Sequence, residues 1–117
     1  EKALGYSINN YDPAIPGLDA APEPADLVVC TDVLEHIEPE NLDDVLDDLQ
    51  RVTKHMLILT VATRTAVKFL ADGRNAHLIV ESPRWWLPKI MERFDLTQFA
   101  ASPGEFLCFL EARKAVQ

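Results

Sequence analysis

Continuous apolar runs and a helical spacing of apolar residues mark the clearest elements of the chain. The runs Ala25–Thr31 and Met56–Ala62 are mostly aliphatic and predict parallel strands that are buried on both faces. Between them, Pro39–Lys54 predicts a helix, because its apolar residues recur every three or four positions. Those residues are Leu42, Val45, Leu46, Leu49 and Val52. A short turn or helical piece is expected at Val33–Ile37.

The N-terminal segment has a weaker pattern. Glu1–Leu4 is typical of the last turn of a helix that stops at Gly5, so we expect further residues before it. Tyr6–Tyr11 predicts a weak strand. The stretch Pro13–Pro24 holds four of the eight prolines. It predicts a loop, because proline interrupts both helices and central strands.

The C-terminal third predicts a helix followed by a hairpin. Ser82 and Pro83 suit the N-cap and the first position of a helix that extends to about Arg93. The apolar segments Phe94–Ala100 and Glu105–Ala112 flank a Ser-Pro-Gly turn and predict an antiparallel pair. The order of elements therefore predicts an α/β fold, with a mostly parallel sheet, helices on both faces and an antiparallel C-terminal hairpin.

Composition and charge narrow the classes of function. The 117 residues suit one domain, and the 48% hydrophobic content excludes disorder along the whole chain. A net charge of −8 argues against nucleic acid and against a polybasic membrane surface. No apolar run reaches the length of a membrane span. Cys30 and Cys108 lie in apolar runs, which indicates buried thiols in a reducing, cytoplasmic compartment.

Polar residues that follow the predicted strands are the first candidates for a site. Ligands of open α/β sheets bind outside the carboxyl ends of the strands, where Asp12, Asp32 and Arg64 fall in this sequence. The Asp12 carboxylate suits a ribose diol, although an Asp before Pro is also a common turn former. Asp32 is equally consistent with an N-cap of the Val33–Ile37 piece.

The segment Ala25–Ile37 carries a resemblance to a known family. Its acid, apolar strand and Asp-Val-Leu-Glu-His sequence resemble the fourth-strand motif of class I S-adenosylmethionine-dependent methyltransferases. Tyr11-Asp12 resembles the second-strand end of that Rossmann-like fold, and the C-terminal hairpin resembles the last pair of its seven-stranded sheet. The resemblance runs from Tyr6 to Arg113. None of the four glycines forms a Gly-x-Gly pattern, so we expect residues 1–117 to be a single, partial methyltransferase domain without the Gly-rich loop.

The resemblance implies S-adenosylmethionine as the cofactor and gives several residues a role in binding it. Asp12 would bind the ribose, while Thr31, Asp32 and Val33 would line the methionine and sulfonium side. Asp19 is the one candidate for the adenine contact, and a plain loop acid is the alternative interpretation. A carboxylate such as Asp32 beside a sulfonium is also favourable on electrostatic grounds.

The loop Asp72–His77 supplies candidates for the methyl acceptor's side. Arg74 suits an anionic substrate group, and His77 and His36 are candidate general bases, with His77 also a candidate substrate contact. Trp85 offers a wall for a ring. The alternatives are a tight turn with solvated polar residues, a structural His36, and core packing of one of the two tryptophans, Trp85 and Trp86.

The sequence thus predicts methyl transfer to a small-molecule acceptor. The acid run Glu35–Asp48 is interpreted as a solvated face, and no metal is expected. The alternative function is a non-catalytic α/β domain used for assembly, since the Gly-rich motif is absent. A nicotinamide-dependent dehydrogenase is a third candidate, but its fingerprint is missing too. A truncated sheet exposes its edges, so a homodimer is also expected.

Overall fold

A computed structural model describes residues 23–113 of the chain. The elements, in chain order, are β1 Ala25–Thr31, the 3₁₀ turns Leu34–His36 and Pro39–Asn41, α1 Leu42–Val52, β2 Thr53–Ala62, α2 Pro83–Met91, β3 Phe94–Ser102 and β4 Glu105–Ala112. The predicted strand Tyr6–Tyr11 and the candidates Asp12 and Asp19 lie outside the described residues. No helix in the described part is long and apolar enough to cross a membrane.

The four strands form one sheet in the order β1-β2-β4-β3. β1 and β2 run parallel, with Thr31 opposite Thr60, while β4 is antiparallel to both β2 and β3. This arrangement confirms the predicted α/β fold and its antiparallel C-terminal hairpin. It also places the carboxyl ends of β1 and β2 at the same edge of the sheet.

The core lies between one face of this sheet and the two helices. Leu57, Leu59 and Val61 alternate along β2 and are fully buried. They lie opposite three buried residues of β4, namely Leu110, Cys108 and Phe106. Trp86 and Ile90 from α2, and Leu42 and Leu46 from α1, belong to the same cluster. Both helices therefore cover the same face, and each large apolar side chain buried there contributes roughly 1.5–3 kcal/mol.

The opposite face of the sheet remains apolar. Leu27 and Val29 of β1, which alternate with the core residues Val28 and Cys30, are 53% and 59% exposed. The sequence predicted that β1 is buried on both faces, but within residues 23–113 it is covered on one. The reason is that both described helices pack on the other side.

The junction of α1 and β2 differs from the prediction. The helix was expected to reach Lys54 and the strand to begin at Met56, yet α1 ends at Val52 and β2 begins at Thr53. The buried Thr53 donates its hydroxyl to the Leu49 carbonyl oxygen at 2.7 Å. Because its backbone already pairs with β1, this residue closes the helix and opens the strand.

Candidate functional site

Asp32 occupies a constrained position immediately after β1. Its φ of 56° lies in the left-handed region, which Asp and Asn tolerate better than most residues. Its backbone N–H reaches the Thr60 carbonyl oxygen at 3.1 Å and the Thr60 hydroxyl oxygen at 3.2 Å. That hydroxyl donates to Asp32 Oδ1 at 3.4 Å. Thr60 thus holds the exposed Asp32 carboxylate at the carboxyl edge of the sheet.

The alternative role of Asp32 as an N-cap is wrong. The cap of the following 3₁₀ turn is Val33, and no side chain bonds to that turn's free N–H groups. Thr31 and Val33, like Asp32, are exposed. The three residues predicted to line the cofactor are therefore together at the strand end and accessible to a ligand.

The 3₁₀ turn Leu34–His36 inserts Leu34 and Glu35 into the protein interior. The side chain of Glu35 has no exposed surface, whereas that of His36 is 44% exposed. Neither carboxyl oxygen of Glu35 has a hydrogen-bond partner in the described part of the chain. Such a group is costly, because a buried polar atom without a partner loses its hydration without compensation.

Asn75 organises the loop between β2 and α2. Its Oδ1 accepts hydrogen bonds from the N–H groups of Ala66 at 2.8 Å and His77 at 2.9 Å. Its Nδ2 donates to the Ala66 carbonyl oxygen at 2.9 Å. Gly73, with a φ of 91°, makes the turn within this loop. Asn75 thereby ties the start of the loop at Ala66 to its middle and positions His77.

His36 and His77 are brought together beside Glu35, and we call these three residues the Glu-His-His cluster. The two imidazole rings are in edge contact, with centroids 4.8 Å apart. One ligand atom from each of the three residues lies within 4.8 Å of the others. Since a carbonyl oxygen can only accept, Nδ1–H of His36 donates to Ala76 O at 3.0 Å, and Nδ1–H of His77 donates to Arg64 O at 2.6 Å. In the neutral rings, each Nε2 therefore carries a lone pair.

Arg74 is already paired within the chain. Its guanidinium binds both carboxylate oxygens of Glu38, at 2.8 and 3.0 Å, and Nε–H donates to Asp72 Oδ2 at 2.8 Å. The hydrogen bonds from Arg74 lower the pKa of Glu38 and of Asp72, and those carboxylates raise the pKa of Arg74. The guanidinium group predicted to bind an anionic substrate is thus paired with two carboxylates of the protein.

Trp85 packs against the core instead of standing free. It is half-buried and meets Trp86 edge-on at a centroid distance of 5.1 Å. The Nζ of Lys89 lies 5.2 Å from the Trp85 ring centroid, a cation–π arrangement. These contacts favour the core-packing interpretation over a wall for a substrate ring.

The two cysteines are buried thiols, as the sequence predicted. Burial raises the pKa of Cys30 to about 12, with smaller contributions from Glu35 and Asp32. Burial also raises the pKa of Cys108 to about 11. Neither thiol is a nucleophile at neutral pH, because the thiolate is the reactive form.

Three residues of this region are not predicted as site residues by the sequence. Thr60 lies within a predicted strand, where a polar residue in an aliphatic run is itself a signal. Glu35 lies within the Asp-Val-Leu-Glu-His segment, and its burial has no local signal. Asn75 lies in a predicted turn, and its three hydrogen bonds depend on how the loop closes.

Comparison with solved structures supports the fold. The chain is similar to the PH0226 protein from Pyrococcus horikoshii OT3, with a TM-score of 0.56 and 16% identity, over 75% of this chain and 51% of that one. It is also similar to the N-methyltransferase NodS from Bradyrhizobium japonicum WM9, solved with S-adenosyl-L-homocysteine. That match has a TM-score of 0.54 and 14% identity, over 79% of this chain and 48% of that one.

This chain therefore spans about half the length of each of these two proteins. At such low identity the likeness concerns the fold, which is an α/β fold shared with an N-methyltransferase. No protein-family model matches the sequence, and no curated protein matches it significantly.

Proposed function

We propose that this chain is part of a domain that transfers a methyl group from S-adenosylmethionine to a small-molecule acceptor. The observation that carries the proposal is the position of the Asp-Val-Leu-Glu-His segment. It begins at the carboxyl edge of β1, in a fold shared with an N-methyltransferase solved with S-adenosyl-L-homocysteine. Ligands of such sheets bind at this edge.

The cofactor's sulfonium side fits the residues at the end of β1. Asp32 offers an exposed carboxylate that Thr60 holds in place, and a negative charge there attracts a sulfonium. Thr31 and Val33 complete the exposed strand end. Asp12 for the ribose and Asp19 for the adenine remain proposals outside the described residues.

When bound, S-adenosylmethionine would supply an electrophilic methyl group. The chain's own contribution is to align the acceptor atom with that methyl group, which can lower the barrier by several kcal/mol. The proton that the acceptor loses passes to Nε2 of His36 or His77, because Nδ1 of each ring is committed to a backbone carbonyl. Trp85 and Arg74 have no assigned step, since both are engaged within the protein.

Calorimetric titration of the 117-residue chain with S-adenosyl-L-homocysteine tests the proposal. We expect saturable binding that weakens roughly tenfold in Asp32→Asn, equivalent to about 1.4 kcal/mol. Asn tolerates the left-handed backbone of this position, so the variant removes the charge without straining the turn. Asp48→Asn on α1, an exposed position, is the matched control and should bind as the natural chain does.

An absence of binding by the natural chain, or equal binding by Asp32→Asn, would contradict the proposed cofactor site. The second candidate function, a non-catalytic assembly domain, is favoured by the exposed Leu27 and Val29 on the uncovered face and by the lack of Gly-x-Gly. It predicts no cofactor binding and a homodimer in sedimentation. A monomer at micromolar concentration would count against that candidate.

A further inference from the structure

The buried carboxyl group of Glu35 has no hydrogen-bond partner among residues 23–113. Both of its oxygens are buried without a hydrogen bond, and the nearest cationic candidate, Nε2 of His36, is 3.8 Å from Oε2. That distance is too long for a hydrogen bond. Buried carboxyl groups in proteins are normally paired or coordinate a metal.

The two histidines beside Glu35 present the donor atoms that a metal requires. Metal-binding histidines characteristically donate their other ring N–H to a backbone carbonyl or a carboxylate, which fixes the ring and its tautomer. His36 and His77 both do so, toward Ala76 O and Arg64 O. The rings are in contact with each other, and one ring nitrogen of each lies within 4.8 Å of the other and of a Glu35 carboxylate oxygen.

We propose that the Glu-His-His cluster binds a divalent transition-metal cation. Its three ligand atoms lie within 4.8 Å of one another. Bonds of about 2.0–2.2 Å to one cation place ligand atoms roughly 3–4 Å apart, so the side chains must close by about 1 Å. The exposed His36 side chain has room for that movement.

The ligand set selects the class of cation. Imidazole nitrogen suits zinc, iron, cobalt and nickel, whereas magnesium and calcium prefer sites made of oxygen alone. Two imidazoles and one carboxylate are also the protein ligands of many catalytic zinc sites. Three protein ligands leave a coordination position open for water or for a ligand oxygen.

This proposal differs from the sequence-based expectation that the acid run Glu35–Asp48 holds no metal. That expectation was based on solvated helix acids, and Asp43, Asp47 and Asp48 on α1 are indeed exposed and face arginines. Glu35 belongs to the same run but lies in the interior. One residue of the run thus differs in environment from the helix acids that follow it.

The metal site does not depend on the proposed methyl transfer. Asp32 carries the cofactor proposal, whereas the Glu-His-His cluster carries this one. A cation bound to both Nε2 atoms would occupy the lone pairs that otherwise accept the acceptor's proton. Metal binding would therefore replace the base role of the histidines in the loaded protein.

Calorimetric titration of the EDTA-treated 117-residue chain with zinc chloride tests the site. We expect saturable binding of one zinc per chain, with affinity at least tenfold weaker in Glu35→Gln and in His36→Ala. Glu35→Gln nearly preserves the side-chain volume. The side chain of His36 is 44% exposed, so His36→Ala keeps the test valid if the buried variant fails to fold. Cobalt binding, followed by its visible absorption spectrum, should weaken in the same variants.

His55→Ala is the matched control. His55 is exposed and faces Asp26 at 3.4 Å, apart from the cluster, so this variant should bind zinc as the natural chain does. The proposal is overturned if the natural chain shows no saturable zinc binding up to about 1 mM, which corresponds to roughly 4 kcal/mol. It is also overturned if Glu35→Gln and His36→Ala bind zinc unchanged, or if magnesium competes at equal concentration.

Discussion

Two groups of charged and titratable residues each connect the region of the 3₁₀ turn Leu34–His36 to the loop between β2 and α2. They differ in whether their carboxyl groups have hydrogen-bond partners within the protein. Arg74 joins Asp72 on the loop to Glu38, which follows the 3₁₀ turn. The Glu-His-His cluster joins that turn to the same loop a few residues further on. The arginine group is exposed at the surface, whereas the cluster includes the buried carboxyl of Glu35.

The difference between the two groups is whether each carboxyl group has a hydrogen-bond partner within the protein. A carboxyl group that has such partners is structural, whereas a buried one without them is a candidate ligand for a bound group. At the surface, Arg74 donates hydrogen bonds of 2.8–3.1 Å to both carboxylates. Each of their four oxygens therefore has a partner within the protein. In the interior, Glu35 lacks any such partner among residues 23–113. Buried polar groups in native proteins almost always have a partner, whether a protein group, a water molecule or an ion, so the cluster with an unpartnered carboxyl group is the better candidate site.

The largest effect is expected from removing the buried carboxyl group. Glu35→Leu keeps a similar volume and deletes both unpartnered oxygens, so the metal-free protein should gain about 1–3 kcal/mol in free energy of unfolding. Urea denaturation in EDTA measures this gain. In zinc the natural chain should be stabilised and Glu35→Leu should not, because ligands that bind the folded state stabilise it.

Glu40→Leu is the control for this change. Glu40 is exposed, and surface substitutions of this kind usually alter stability by no more than about 0.5 kcal/mol. If Glu35→Leu instead lowers the stability of the metal-free protein, Glu35 has a partner within the protein. The contrast between the two groups would then disappear.

An intermediate effect is expected from Asn75, which holds the loop that both groups share. Asn75→Ala removes three hydrogen bonds, and we expect a loss of about 1–2 kcal/mol, because water can replace part of them in this half-buried loop. The same variant should bind zinc more weakly, since His77 loses its support. Asn41→Ala is the control, because the Asn41 side chain makes no capping hydrogen bond. Unchanged zinc affinity in Asn75→Ala would contradict the role of the loop.

The sheet could be predicted from the sequence because its signals are local. The aliphatic run Ala25–Thr31 and the segment Glu105–Ala112 became strands with the predicted bounds. The start of β2 at Thr53 was missed because it depends on pairing with β1 and on a hydrogen bond to Leu49. Local patterns therefore located the strands, whereas tertiary contacts set this boundary.

The candidate site could be predicted only in part, for a related reason. Asp32 and His36 could be named because a motif at a strand end marks them, and His77 because it lies in the polar loop that follows β2. The burial of Glu35 and the pairing of Arg74 with Glu38, 36 residues away, arise from how a distant loop folds back. No local pattern separates a buried acid in this run from its exposed neighbours.

The smallest effect is expected at the surface group, where the readout is a titration. In Arg74→Gln the pKa values of Glu38 and Asp72 should rise toward their ordinary values, because the hydrogen bonds that lower them are removed. A lowered folded-state pKa stabilises the protein above the unfolded pKa, and this contribution is lost as the pH falls through the folded-state value. The difference in stability between the natural chain and Arg74→Gln should therefore exist at neutral pH and vanish on acidification.

Carbon-detected NMR of the side-chain carboxyl groups measures these titrations directly. Arg74→Lys should restore the natural values only in part, because an ammonium group cannot bind Glu38 through two parallel hydrogen bonds. Unchanged titration of Glu38 in Arg74→Gln would show that the ion pair does not form in solution. Zinc affinity should stay within about twofold in Arg74→Gln, since exposed ion pairs contribute little. A larger change would mean that the paired surface group and the Glu-His-His cluster act as one site, joined through the loop that carries Asp72 and His77.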